Sequence, residues 1–219
     1  MIISTEKEEK TLRISQLNFD LSYFIQLKRV ACNLSQAELS FLIGRGTGFI
    51  KDRESFKQRK EWCMGDLNTL SKLFDCSTAE FFRNIDEVQY ELDLLGKQQR
   101  KSGRIQYEVF KLKEGGGKEL LYQINEVDPA IRFNQEQKKD FLMRARKEIF
   151  RLIEDGYFDQ AARNPFDIFK ECRRWGGQLI KAEFIAQVLN EDLINTVPPL
   201  LKRFKDKKNG FVYASVYMI

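Results

Sequence analysis

Histidine is missing from all 219 residues of the chain. Its absence excludes mixed Cys/His zinc sites, Ser–His and Cys–His nucleophilic catalysis, and imidazole acid–base work. Cysteine is sparse: Cys32, Cys63, Cys76 and Cys172 stand far apart, with no CxxC spacing among them. Scattered cysteines in a chain without an export signal read as reduced thiols, each a small buried hydrophobe rather than a ligand. Paired acidic motifs of the kind that hold magnesium are also lacking, so neither an enzyme, nor a metal, nor a cofactor is expected. No run approaches the ~20 apolar residues of a membrane span, and MIISTEKEEK has no apolar signal core. These absences point to a cytoplasmic protein with no membrane partner.

What is present is an uneven distribution of charge. The net charge of +5 is mild, so placement matters more than the total. Residues 86–140 carry 10 Lys/Arg against 11 Asp/Glu, whereas residues 141–219 carry 14 against 10. Arg45, Lys51, Arg53, Lys57, Arg59 and Lys60 crowd a short segment whose acids are Asp52 and Glu54. Two basic foci around a neutral middle fit two polyanion-facing modules.

Periodicity divides the chain into four parts. Residues 1–18 are charged and weakly patterned, which predicts a flexible arm. Asp20 is placed to cap a helix carrying Leu21, Phe24, Ile25 and Leu27, and Ser35 with Glu38 forms a capping box before Leu39, Leu42 and Ile43. Gly44 is placed to stop that second helix. Thr47 caps a third, Asp66 starts a fourth through Leu67, Leu70, Leu73 and Phe74, and Ser77 a fifth through Phe81, Phe82 and Ile85. Residues 86–134 read as a linker helix and polar linker, followed by two β-rich runs around Gly115–Gly117, a β-hairpin that must pack on a neighbour or pair with a second chain. Residues 135–219 give an amphipathic stripe (Phe141, Leu142, Ala145, Ile149, Leu152, Ile153), shorter helices over Phe166–Arg174 and Lys181–Leu189, and a terminal hairpin with a charged tip. The expected fold is therefore mostly α with small β elements.

Ile25 and Arg29, then Leu34-Ser35-Gln36, Glu38-Leu39 and Leu42-Ile43-Gly44, then Ile50 and Glu54, Leu67, Leu70, Leu73-Phe74 and Cys76-Ser77-x-x-Glu80-Phe81-Phe82 carry a resemblance. On these residues the segment 19–85 resembles the Cro/repressor-type (XRE-like) helix-turn-helix family. The resemblance implies a five-helix DNA-binding domain, with Ser35 and Gln36 at a helix start that seats on phosphate and a following helix in the major groove. Where the family places polar base-contacting side chains, this chain has Arg45-Gly46-Thr47-Gly48-Phe49-Ile50-Lys51. The two glycines have no side chain for a base, which leaves Arg45, Thr47 and Lys51 for guanine or for phosphate. Arg53 falls where the family buries an apolar residue, so either the helix is rotated or Arg53 snorkels outward. The interval Glu54–Leu67 is longer than in the family, and its FKQRKEW run (Lys57, Arg59, Lys60) is either a backbone clamp or a solvated loop pinned by Phe56 and Trp62.

Arg144–Tyr217 resembles winged-helix domains through its order of three helices and a hairpin. That resemblance implies Lys181, Gln187 and Asn190 on a groove-facing helix that also bears Glu183, and Lys205, Lys207 and Lys208 on a phosphate-touching wing. Arg173 and Arg174 end the second of those helices and can add to it. The combined expectation is a bacterial transcriptional regulator that grips double-stranded DNA largely by phosphate and shape contacts, as a homodimer or as a tethered pair of modules. The alternative is a protein-interaction module, such as an antitoxin or immunity-like partner, that uses the scaffold to bind another protein.

Overall fold

The computed structural model describes residues 7–55, 60–82, 91–207 and 210–217. In chain order the elements are β1 (Lys7–Ile14), α1 (Gln16–Ala31), α2 (Gln36–Leu42), α3 (Phe49–Glu54), α4 (Met64–Leu73), β2 (Leu92–Lys101), β3 (Arg104–Leu112), β4 (Lys118–Val127), α5 (Gln135–Glu154), α6 (Pro165–Gly176), α7 (Ala182–Gln187), β5 (Leu201–Asp206) and β6 (Gly210–Ser215). They form two compact units, one of residues 1–35 and 50–132, the other of residues 36–49 and 133–219. Among the described residues no helix is long and apolar enough to cross a membrane.

The first unit is built on a four-stranded antiparallel sheet in the order β1-β2-β3-β4. β1 pairs with β2 so that Ile14 lies opposite Leu92 and Leu12 opposite Leu94. Alternation buries Ile105, Tyr107 and Val109 of β3 on one face, as a half-covered sheet requires. On that face Phe19 of α1 joins Ile14, Leu92, Leu94 and Val109 in one cluster, with Tyr122 packed against it. Tyr23 stacks on Tyr122 with ring centroids 4.3 Å apart. α1 begins at Ser15, whose hydroxyl accepts a hydrogen bond from the Asn18 amide. Asp20, expected as that cap, lies inside the helix, and Leu27 is exposed. The fifth expected helix is a 3-10 turn over Thr78–Phe82, where Ser77 Oγ accepts from the Ala79 amide.

The second unit carries α5, α6 and α7, a π-helical turn over Val188–Ile194, and the two-stranded sheet β5-β6. Asn134 and Gln137 close a full capping box at the start of α5, whose Phe141, Ala145, Ile149 and Leu152 are buried. The fourth helix of this unit is α2, which packs on α7 and α6 and buries Leu39, Phe41 and Leu42. It ends at Gly44 with φ +68°. There the Arg45 amide donates to Ser40 O at 2.8 Å and the Gly44 amide to Phe41 O at 2.8 Å, the Schellman closure that favours glycine.

These observations correct the expected fold class. The protein is not mostly α with small β elements, because its first unit is built on a four-stranded sheet. Nor do residues 19–85 form a five-helix helix-turn-helix domain: α1, α3 and α4 belong to the first unit and α2 to the second. The predicted arm 1–18 holds β1, and the polar part of the predicted linker is β2. The helix expected to open the 86–134 segment falls largely on residues 83–90, outside the described residues. The C-terminal layout of three helices and a hairpin is not a free-standing 135–219 domain, since its unit also contains residues 36–49.

Candidate nucleic-acid interface

One cationic surface of the second unit is made by two pieces far apart in sequence. One is the loop from Gly44 to Phe49. Gly46, Thr47 and Gly48 are exposed there, and the Arg45 guanidinium lies 5.5 Å over the Phe49 ring. The other is the β5-β6 hairpin. β6 is buried apart from half-buried Phe211, whereas Lys202, Arg203, Phe204 and Lys205 of β5 are exposed.

Backbone contacts join the two pieces. The Phe211 amide donates to Gly44 O at 2.7 Å. Gly210, at φ +74°, lies so close that a Cβ there would sit 2.2 Å from the same oxygen. The same edge of β6, the one facing away from β5, is tied further along by a reciprocal pair, Tyr213 amide to Arg163 O and Arg163 amide to Tyr213 O, both at 2.8 Å. The hairpin is thus pinned along its β6 edge, and its other strand presents Lys202, Arg203 and Lys205, followed by exposed Lys207. The acid within this stretch is Asp206.

Arg203 is held by its own unit. Its Nη1 donates to Asn190 Oδ1 at 2.9 Å, and its guanidinium lies 5.0 Å over the Phe211 ring. The Tyr213 hydroxyl donates to the same Asn190 oxygen at 3.4 Å. Burial raises the Tyr213 phenol above its usual range while the Arg203 charge pulls the other way, so the phenol stays a neutral donor at ordinary pH.

The remaining predicted contact residues are placed differently. Lys181 Nζ donates to Gln178 O at 3.0 Å and lies 5.7 Å over the Phe141 ring. Gln187 Nε2 donates to Glu191 Oε2 at 2.9 Å. Both side chains are therefore engaged within the unit, and Glu183 is exposed on the same helix. Gln36 is half-buried, with its carbonyl accepting from Ser40 Oγ at 2.7 Å. Ser35 is buried in the first unit, where it lines a cavity of about 140 Å³ with Asn33, Asn125, Glu126 and Arg132. Lys51 and Lys60 are exposed in that unit, while Lys57, Arg59 and Lys208 lie outside the described residues. Arg53 resolves as a half-buried side chain, 5.2 Å over the Trp62 ring and donating to Glu61 O at 2.9 Å. Trp62 in turn donates from its indole to Ser22 Oγ at 3.0 Å, while Phe56 lies outside the described residues.

α3 is fastened by a buried ion cluster. Arg29 Nε and Nη2 grip Glu54 Oε1 and Oε2 at 2.7 and 2.8 Å. Arg29 Nη1 serves both Leu34 O and Glu126, and Tyr107 donates to Glu126 Oε1 at 2.6 Å. Arg29 and Glu54 are fully buried, and the two carboxylates hold the guanidinium above its ordinary range against the opposing effect of burial. The cluster ties α1, α3, β3 and β4 together, which is structural work. Among the described residues no group of His, Cys, Asp or Glu side chains is placed to hold a metal ion.

Sequence reasoning missed Arg203 and the seat of Gly210 on Gly44, and it placed Asn190 toward the groove, whereas Asn190 accepts from Arg203. The strand alternation in LKRFKD puts Arg203 and Lys205 on one side of β5, and that signal was available. Comparison of the chain with protein-family models, curated proteins and solved structures finds no match.

Proposed function

We propose that the protein is a DNA-binding regulator that grips duplex DNA through the second unit, using Arg45 and the exposed edge of the β5-β6 hairpin. The observation that carries this reading is the Phe211–Gly44 contact. It seats a glycine-rich, arginine-bearing loop on the β6 edge of a hairpin whose other strand carries three exposed cations. Phosphate is the natural ligand of such a surface, since each Lys or Arg that neutralises one phosphate releases condensed counterions. Gly46 and Gly48 support close approach: nothing lies within 4 Å of a Cβ built at either, so packing does not demand glycine there. A bare backbone is instead suited to lie directly against a ligand.

The test is fluorescence anisotropy on a mixed-sequence duplex across a salt series. Affinity should fall linearly in log salt, with a slope of ~0.9 per phosphate contact. Lys205→Ala/Lys207→Ala should flatten the slope by about 2 units and Arg45→Ala by about 1. Lys147→Ala on α5 should leave it unchanged. Absence of binding at micromolar protein in ~100 mM salt, where non-specific affinities show, would remove the proposal.

A further inference from the structure

We infer that Arg203 reads guanine, giving the proposed DNA-binding surface one point of base specificity; this inference rests on that DNA-binding reading. Most surface arginines wander among rotamers, and ordering one costs conformational entropy on binding. Arg203 is already ordered, by Asn190 at Nη1 and by Phe211 beneath the guanidinium plane. Asn190 is itself held: its Nδ2 donates to Ala186 O at 2.8 Å, and its Oδ1 also takes the Tyr213 hydroxyl. These contacts restrain the fork, with Nη1 committed to Asn190 and a further hydrogen bond shared with the Tyr213 hydroxyl. The N–H donors left over suffice for two acceptors.

The O6 and N7 atoms of guanine offer such a pair in the major groove, and arginine is the side chain that most often takes them. A phosphate also offers two acceptors. Lys205 and Lys207, flexible point charges on the same strand and its extension, suit phosphate better and do not need a fixed plane. The division of labour assigned here is therefore lysines for the backbone and the anchored arginine for the base.

The experiment selects duplexes from a randomised pool with the full-length wild-type chain. It then measures anisotropy on the selected site and on versions with each G·C pair replaced by A·T. The wild type should discriminate against replacement of one guanine by roughly 5- to 150-fold. Arg203→Lys keeps the charge but loses the planar fork. It should lose that discrimination, so that the guanine site and its replaced version are bound alike. Asn190→Ala should weaken the discrimination without altering net charge. Thermal unfolding of each variant checks that the fold is kept. Retained discrimination in Arg203→Lys, or an equal loss on every sequence, overturns the guanine assignment while the phosphate grip stands. A selected pool with no guanine preference does the same. Failure of the wild type to bind any duplex overturns both readings together.

Discussion

Gly210 has no room for a side chain. Its φ of +74° is one that L-residues rarely adopt, and the Gly44 carbonyl fills the space where a Cβ would stand. Backbone strain alone costs roughly 1–2 kcal/mol for alanine in this region, and the clash with fixed backbone adds to it. Gly210→Ala should therefore destabilise the chain by about 2 kcal/mol or more and shift the hairpin off the Gly44 loop. Gly46→Ala and Gly48→Ala meet open space and should stay within about 0.5 kcal/mol of wild type. They should nonetheless bind duplex more weakly, because a methyl group enters the proposed contact. Urea unfolding and anisotropy on the same three variants check this, and equal stability across all three would show that Gly210 is not a seat. At this scale the sequence was half legible. Gly44 declares itself as a helix stop by following Leu42 and Ile43. Gly210 reads only as a turn glycine, because what crowds it lies far away in the chain.

Single elements were legible where their signal is local. α5 carries a four-turn apolar stripe and a capping Asn134, and β3 and β4 flank a glycine turn that closes with the Lys113 amide on Gly117 O at 2.8 Å. β1 was not legible. In KEEKTLRI the apolar residues are Leu12 and Ile14 alone, and the strand exists because β2 offers Leu94 and Leu92 opposite them. β2 likewise hides behind its own polar second half. The hairpin's need for a neighbour was read correctly, but the neighbour is β2 of the same chain. α3, at six residues, is too short to persist by propensity, and its hold is the Arg29–Glu54–Glu126 cluster. Arg29→Met leaves two carboxylates buried without their cation and should cost about 3–5 kcal/mol in urea unfolding. Arg29→Lys restores charge but not the two-pronged grip on Glu54, so it should recover only part. A loss below about 1 kcal/mol for Arg29→Met, the range of an exposed pair, would mean that the cluster does not fasten α3.

The chain visits its two units alternately, and this is why the whole-molecule expectation went astray. It enters the second unit for residues 36–49, returns to the first through residue 132, and ends in the second. Capping boxes, helix stops and apolar spacing specify a helix and its buried face, but not the core that receives that face. Leu39 and Leu42 satisfy the family pattern equally well whether they meet neighbouring helices or, as here, the unit of α6 and α7. The consequence is testable by cutting the chain where the sequence suggests a domain boundary. A fragment of residues 1–85 contains β1 without β2, and α2 without α6 or α7. It also has Arg29 and Glu54 without Glu126 or Tyr107. An unpaired strand and a seven-residue helix cannot hold themselves in water, so the fragment should give a poorly dispersed amide spectrum and no cooperative thermal transition. Residues 133–219 alone should keep part of their helicity, since α5 to α7 and the hairpin remain together. They would lack the Gly44 carbonyl that the Phe211 amide meets, and their duplex affinity should fall. Adding a peptide of residues 36–49 in trans should raise both stability and affinity in a concentration-dependent way, as linkage requires of a segment that binds the folded form. A dispersed spectrum and a sharp transition from residues 1–85 alone would restore an autonomous N-terminal helical domain and overturn the interleaved arrangement.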